Sequence, residues 1–182
     1  LNNQKVVSGL PFKNITDYLK LRPGNYELEI YPAAIPSLNP VFKKQIVIPR
    51  NTIYTIAAIN KLDNLNIYII NDPLQCPEDN TSYLRAVHLS PDAPAVNVRV
   101  NSRTICRSLS YKDVSRYAKL SPETYDISVR PVSSSENIIT NSNQVLQSKF
   151  YQSFYILGLL EGEIPLQTII VKDSLYKFIA LN

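Results

Sequence analysis

LPFKNITDYLKLRPGNYELEIYP, residues 10–32, aligns without a gap with LSYKDVSRYAKLSPETYDISVRP, residues 109–131, when the sequence is displaced against itself by 99 positions. Of the 23 aligned pairs eight are identical, among them Tyr18 with Tyr117. Similarity at one fixed spacing is typical of a repeated structural unit. The chain therefore contains two copies of one module.

The alignment also defines the predicted domain limits. It resumes after a two-residue shift, which places Thr52 over Ser153 and Asp72 over Asp173. Residues 83–99 have no counterpart in the first copy. We predict a first module at residues 1–74 that lacks its opening strands, a linker at 75–82, and a second module at 83–182.

Two expectations concern the incomplete first module. Because the sequence contains no Met, we expect that residues upstream of Leu1 have been lost, removed or left out. Residues 176–181 alternate like a strand and are a candidate to fill the vacated place. If nothing fills it, the open sheet edge favours a homodimer.

Hydrophobic alternation predicts the fold class. Residues 26–30 and 96–100 alternate apolar and polar side chains, which is typical of strands with one buried and one wet face. More continuously apolar segments are predicted as deeper strands at 46–48, 53–59, 65–70, 146–150, 154–160 and 166–171. About seven strands in roughly 100 residues favour an all-β chain of two tandem antiparallel β-sandwich modules, immunoglobulin-like or transthyretin-like.

Residues 14–19 and 113–118 carry a helical signal, an N-cap residue followed by apolar residues three and four positions apart. A short turn or an irregular edge strand fits the same residues equally well.

The second module opens with RAVHLSPDAPAVNV at residues 85–98. This string, with its Ser-Pro-Asp-Ala-Pro core, resembles the bacterial family called domain of unknown function 4397, whose members often occur in tandem. The resemblance covers the second module throughout and the first from its third strand onward. It implies a β-sandwich, frequently in a surface or envelope setting, and no known reaction. The chain departs from the family at Asn97, where Asp is common, and at Glu123, where Gly is common.

His88 and Asp92, both within this string, are the candidate ligand-binding residues because they could line a ligand or ion site. The alternative is structural. Pro91 and Pro94 fix the backbone angle φ, and the side chains of Ser90 and Asp92 can accept backbone N–H bonds, which would stiffen a turn between two strands.

The residue inventory excludes several kinds of site. His88 is the single histidine, which excludes metal sites with two imidazoles, and two distant cysteines exclude structural zinc. Four glycines cannot build a phosphate loop or a dinucleotide fingerprint, so we expect no cofactor and no metal. We assign no catalytic residue, because no Gly-x-Ser-x-Gly elbow is present. Cys76 and Cys106 could form one disulfide, although two unpaired thiols are the commoner state in an intracellular chain.

The charge pattern and the tyrosines indicate which kinds of partner the chain could bind. A net charge of +4 is mild compared with that of nucleic-acid binders, so we expect no nucleic acid. The series Arg99–Lys119 is interpreted as a solvated face, with an anionic polymer as the alternative ligand. No apolar run approaches the ~20 residues that cross a bilayer, so no membrane span is expected. Tyr31, Tyr68 and Tyr151 do not recur between the modules and are the candidates for contact with a protein or a surface glycan.

The absence of catalytic groups and the resemblance together favour a non-catalytic structural or interaction module of a bacterial cell surface, envelope or spore layer. The alternative is a small-molecule or glycan-binding protein, or less readily a hydrolase. Its site would lie at the module junction near His88, Asp92 and Cys76.

Overall fold

A computed structural model describes residues 1–32 and 39–173 of the chain. The chain divides into two compact units, Leu1–Asp72 (unit 1) and Pro73–Asn182 (unit 2). Residues 176–181, the candidate to complete the first module, lie outside the described residues.

The described residues of unit 1 form four strands, which are β1 (Gly24–Ile30), β2 (Phe42–Ile48), β3 (Ile53–Ile59) and β4 (Asn66–Asp72). β1 pairs with β2 and β3 pairs with β4, both antiparallel, so the four strands form two separate two-stranded sheets. A single 3-10 turn lies between β3 and β4. Residues 1–23 contain no strand.

Up to residue 173, where the described part of unit 2 ends, the unit has eight strands, which are β5 (Ser82–His88), β6 (Val96–Val100), β7 (Arg103–Leu109), β8 (Ala118–Leu120), β9 (Thr124–Pro131), β10 (Ile139–Val145), β11 (Phe150–Leu157) and β12 (Gln167–Asp173). They form two four-stranded sheets in the orders β10-β9-β6-β7 and β12-β11-β5-β8. The inner strands are therefore β9 and β6 in one sheet and β11 and β5 in the other. The all-β prediction is confirmed.

The core of unit 2 joins the two sheets. Alternate residues of β6, such as Val96 and Val98, are buried together with Ile127 of β9 in one sheet and with Leu84 and Phe154 of the other. The period of two in the sequence thus places one face of each strand against the opposite sheet, as sandwich packing requires. Burial of these side chains supplies the main stabilisation of the unit.

One strand pair departs from the antiparallel expectation. β5 and β11 run parallel, with Ser82 opposite Phe150 and His88 opposite Ile156. Every other strand pair among the described residues is antiparallel. A parallel pair needs a long crossover, and here β6 to β10 supply it.

The four strands of unit 1 correspond to the last four of unit 2. The 99-residue displacement places β1 on β9, and the contacts follow it. Asn2 N donates to Glu27 O at 2.9 Å, and the matched Asn101 N donates to Asp126 O at 2.7 Å. Among the described residues, unit 1 has no counterpart of β5, β6, β7 or β8.

The strand ladders correct the predicted alignment of the third strand. Asp72 lies opposite Ile53, whereas Asp173 lies opposite Tyr151. It follows that Ser153 matches Thr55 and not Thr52. A single shift could not align both the strand and the aspartate, because the β11–β12 connection (158–166) is longer than the β3–β4 connection (60–65).

Of the alternatives left open at 14–19 and 113–118, the helical one is absent from both ranges, and Val114 forms an isolated bridge to Val87, as an irregular edge strand would. One strand prediction was wrong. The strand predicted at 146–150 is replaced by β10, which is largely polar. β10 is an edge strand that pairs only with β9, so its sequence lacks the apolar pattern of an inner strand.

Within the described residues, no helix is long and apolar enough to cross a membrane.

Candidate functional site

His88 is buried at the end of β5 and holds the Ser-Pro-Asp-Ala-Pro loop. The backbone N–H of Ser90 donates to its Nδ1 at 3.3 Å, so Nε2 carries the proton and donates to Pro94 O at 3.2 Å. Burial lowers the pKa of His88, against smaller opposing effects of the Pro94 bond and of the Asp113 charge. A neutral imidazole with both nitrogens occupied acts as a loop anchor.

Asp92 joins this loop to the β11–β12 connection. Its two carboxylate oxygens accept the backbone N–H groups of Leu160 at 2.8 Å and Glu161 at 3.0 Å. Desolvation raises the pKa of Asp92. The hydrogen bonds from these two N–H groups and from the Ser90 hydroxyl together lower the pKa by more, so the net shift is downward. The structure thus places His88 and Asp92 on one loop, where each binds neighbouring backbone.

A buried polar cluster, which was not predicted, spans β5, β11 and β12. Arg85 Nε donates to Ser153 Oγ at 2.6 Å, and Ser153 Oγ donates to Asp173 Oδ2 at 2.5 Å. Tyr117 Oη donates to the same Asp173 oxygen at 2.7 Å, and Arg85 Nη2 lies 3.5 Å from it. The side chains of Arg85 and Asp173 are 3% and 1% exposed, so the ion pair is closed to solvent.

Part of this cluster recurs in unit 1. Tyr18 Oη donates to Asp72 Oδ2 at 2.8 Å, and Thr55 Oγ1 donates to the same oxygen at 2.6 Å. These residues hold the places of Tyr117, Asp173 and Ser153. The sequence did carry a signal, because the displaced alignment already pairs Tyr18 with Tyr117 and Asp72 with Asp173. It paired Ser153 with Thr52, three residues before Thr55, and so missed the residue that binds Asp72.

An open groove of about 470 Å³ lies in unit 2 at the end of β6. Its polar lining includes Arg103, whose Nη1 donates to Lys119 O at 3.5 Å, and Lys119, whose Nζ lies 2.5 Å from Glu78 Oε2. The lining residues are Asn80, Thr81, Val100, Asn101, Ser102, Arg103, Lys119, Leu120, Ser121 and Tyr125. The groove is open to solvent, and its lining is mainly polar.

The structure describes all three tyrosines that were predicted to contact a partner. Tyr151 packs against Tyr83 and Tyr117, with ring centroids 4.7 and 4.8 Å apart, so it belongs to an aromatic cluster. Tyr31 is exposed and donates to Glu29 at 3.2 Å. Tyr68 lies on β4.

The two cysteines are free thiols in the structure. Cys76 is exposed, whereas Cys106 packs against the core of unit 2 on β7, where burial raises the pKa of its thiol. Within the described residues, no three His, Cys, Asp or Glu side chains are grouped so that they could hold a metal ion.

A family model described as Domain of unknown function (DUF4397) matches the chain twice, over residues 1–99 and 82–177. The chain belongs to this family. The two overlapping matches agree with the internal repeat, so the chain carries DUF4397 copies in tandem. A search of curated proteins finds no match.

For a DUF4397 chain, the Ser-Pro-Asp-Ala-Pro loop of unit 2 has a clear structural use. His88 fixes its two ends and Asp92 ties it to a second loop. The hypothesis of a ligand site at the module junction stays a prediction.

Proposed function

We propose that this chain is a non-catalytic structural or interaction module of a bacterial cell surface, envelope or spore layer. The observation that carries the proposal is that side chains able to act as acid, base or ligand are bound within their own unit. His88, Asp92 and Asp173 each bind groups of their own unit, and Asp173 and Ser153 are buried. Side chains arranged in this way hold loops and sheets together.

Membership of DUF4397 in tandem is a second support. The family has no known reaction, and fold alone does not determine function. The proposal therefore needs a test of location.

The test is protease accessibility in intact cells of the source bacterium that produce the full, epitope-tagged gene product. We expect added protease to remove the tag signal while a cytoplasmic marker stays intact, or the protein to appear in a spore-coat extract. A protein that is found only in the cytoplasmic fraction would overturn the proposed setting.

The alternative function, a small-molecule or glycan binder, would use the groove at the end of β6, where Arg103, Lys119 and Tyr125 line one open surface. Its test is a thermal-shift panel of sugars and small anions on the chain and on two variants. A ligand that stabilises the chain and Arg107→Ala, but not Arg103→Ala, would favour this function. Arg107 is the matched control because it is exposed on the same strand and lies outside the groove.

A further inference from the structure

We propose that Arg99 and Arg130 form a binding site for a tetrahedral oxyanion, a sulfate or phosphate group, on the outer face of the sheet β10-β9-β6-β7. The site goes beyond the proposed surface role, and neither arginine lines the groove at the end of β6. Arg99 belongs to the basic series Arg99–Lys119, whereas Arg130 lies outside it. The two arginines come together through the pairing of β6 with β9.

Both arginines lie on the face of this sheet that points away from the core. Val98 of β6 and Val129 of β9 are fully buried in the core of unit 2, so the residues next to them project to the opposite face. Arg99 lies opposite Ser128, and Arg130 is two residues further along β9. Diagonal neighbours of this kind have Cβ atoms about 7–8 Å apart, within reach of long side chains. Both guanidinium groups can therefore contact one bound group.

The two arginine side chains are held against the sheet but are not neutralised. Both residues are half-buried, and the Nε atom of each is buried without a hydrogen-bond partner among the described residues. Arg99 Nη2 donates to Ser102 O at 2.8 Å. Within residues 1–32 and 39–173, the Arg130 side chain has no hydrogen bond and neither arginine has an ion pair. Because charges removed from water are normally paired, two unpaired neighbouring cations indicate a site for an anion.

Asp126 lies on the same face of β9, but its carboxylate is bound at the edge of the sheet. Its Oδ1 accepts the backbone N–H of Asn143 on β10 at 3.0 Å. Asp126 forms no ion pair with any residue that the structure describes. The sheet itself therefore does not neutralise the two arginines.

The matched face of unit 1 has a different charge arrangement. The 99-residue displacement places Glu29 and Tyr31 where unit 2 has Ser128 and Arg130. In unit 1, Lys43 of β2 lies 3.1 Å from Glu29, so this face contains an ion pair between neighbouring strands. The unpaired basic pair is thus a feature of unit 2 and not a general property of the repeated module.

The donors on this face select a tetrahedral oxyanion. Each guanidinium is a planar fork that donates to two oxygens at once. A carboxylate has two oxygens, which one fork already occupies, whereas a sulfate or phosphate group has enough oxygens to bridge both arginines. Asn97, opposite Arg130, accepts the N–H of Ser108 at 3.0 Å with its amide oxygen, which leaves its NH2 group as a further donor. A free ion and an ester group on a sugar chain both offer this chemistry.

The test is an NMR titration of the 182-residue chain at constant ionic strength, because exposed charges are screened by salt. The probes are inorganic sulfate, inorganic phosphate and acetate, followed by dextran sulfate with uncharged dextran as its control. The Nε–H signals of Arg99 and Arg130 report on the two guanidinium groups. We expect saturable shifts of both signals with sulfate and phosphate, and binding of acetate at least about tenfold weaker, because acetate forms fewer charge-assisted bonds. Tighter binding of dextran sulfate per sulfate group would identify an ester on a sugar chain as the ligand, and equal binding would identify the free ion.

Substitutions separate the site from the net charge. Arg99→Gln and Arg130→Gln should each weaken sulfate binding at least about tenfold, because each removes charge-assisted hydrogen bonds. Arg130→Lys keeps the charge but loses the fork, so it should also weaken binding, and it carries the test if Arg130→Gln does not fold. Arg116→Gln is the charge-matched control, since Arg116 is exposed and lies outside this sheet, and it should bind as the unchanged chain does.

Three results would overturn the proposal. The first is no saturable shift with either sulfate or phosphate, and the second is equal weakening by Arg116→Gln. The third is binding that is lost in Arg103→Ala but kept in Arg130→Gln, which would place the anion in the groove at the end of β6. None of these results bears on the protease test, so surface location and anion binding fail separately.

Discussion

His88 is the single residue on which the Ser-Pro-Asp-Ala-Pro loop depends most. Its ring accepts from Ser90 N and donates to Pro94 O, so it bridges the start of the loop and its last proline. Protonation at Nδ1 would replace an acceptor with a donor that faces the N–H of Ser90. The loop is therefore compatible with the neutral ring only.

This leads to a pH prediction. The pKa of His88 is lower in the folded chain than in the unfolded chain, where it is about 6.5, so the unfolded state binds a proton first as pH falls. The contribution of neutral His88 to the stability of unit 2 is fully present above about pH 6.5. It is lost as the pH falls below about 6.5 toward the lower pKa of His88 in the folded chain. Urea unfolding of unit 2 between pH 7.5 and 5.5 should show this loss.

His88→Gln is the matched variant, because the chain has no other histidine. It should be less stable at pH 7.5, by about 1–3 kcal/mol, because it leaves Ser90 N without its acceptor. Its stability should stay nearly constant over the same pH range. An unchanged slope in His88→Gln would show that another group titrates.

The polar cluster of β5, β11 and β12 fixes how three strands meet. Arg85, Ser153 and Asp173 each come from a different strand, and all are buried. A buried ion pair is costly to desolvate, so its contribution is better described as specifying register than as adding stability. A slip of one residue would move the arginine to the opposite face of the sheet.

We predict that Asp173→Asn and Arg85→Met each destabilise unit 2 by about 3–5 kcal/mol, because each removes one charge of the buried Arg85–Asp173 pair. The double variant should cost clearly less than the sum of the two, since it removes the pair as a whole. Chemical denaturation gives all three values. Asp79→Asn is the control: its exposed pair with Lys149 at 2.9 Å should contribute about 0–1 kcal/mol. Additive single effects would contradict the coupling.

The sequence predicted those strands in which buried and exposed side chains alternate with a period of two, such as β1 and β6. It did not predict β10, because an edge strand with wet faces has no such pattern. It singled out His88 and Asp92 but not the cluster around Asp173, because that cluster depends on the register of β5, β11 and β12. Register is set by pairing and loop length, which a one-dimensional alignment does not contain.

The two units differ in how much core they hold. Among the described residues, four buried apolar side chains belong to unit 1, at Ile46, Ile59, Ile67 and Ile70, whereas sixteen belong to unit 2. Because stability grows with buried apolar area, the two units should not unfold together.

We predict two transitions in urea, with unit 1 unfolding at the lower concentration. Hydrogen exchange at each urea concentration assigns the transitions, since β1 and β3 should lose protection before β6 and β9. One coincident transition for all strands would contradict this prediction.

The parallel pairing of β5 with β11 has a consequence for synthesis. Ser82 and Phe150, which lie opposite each other, are separated by 68 positions along the chain. Such distant partners close slowly and late in folding. On the ribosome, β5 must wait until β11 has emerged, and during that interval the edge of β5 that faces β11 is unpaired. A nascent chain halted before Phe150 would therefore be the form most in need of a chaperone.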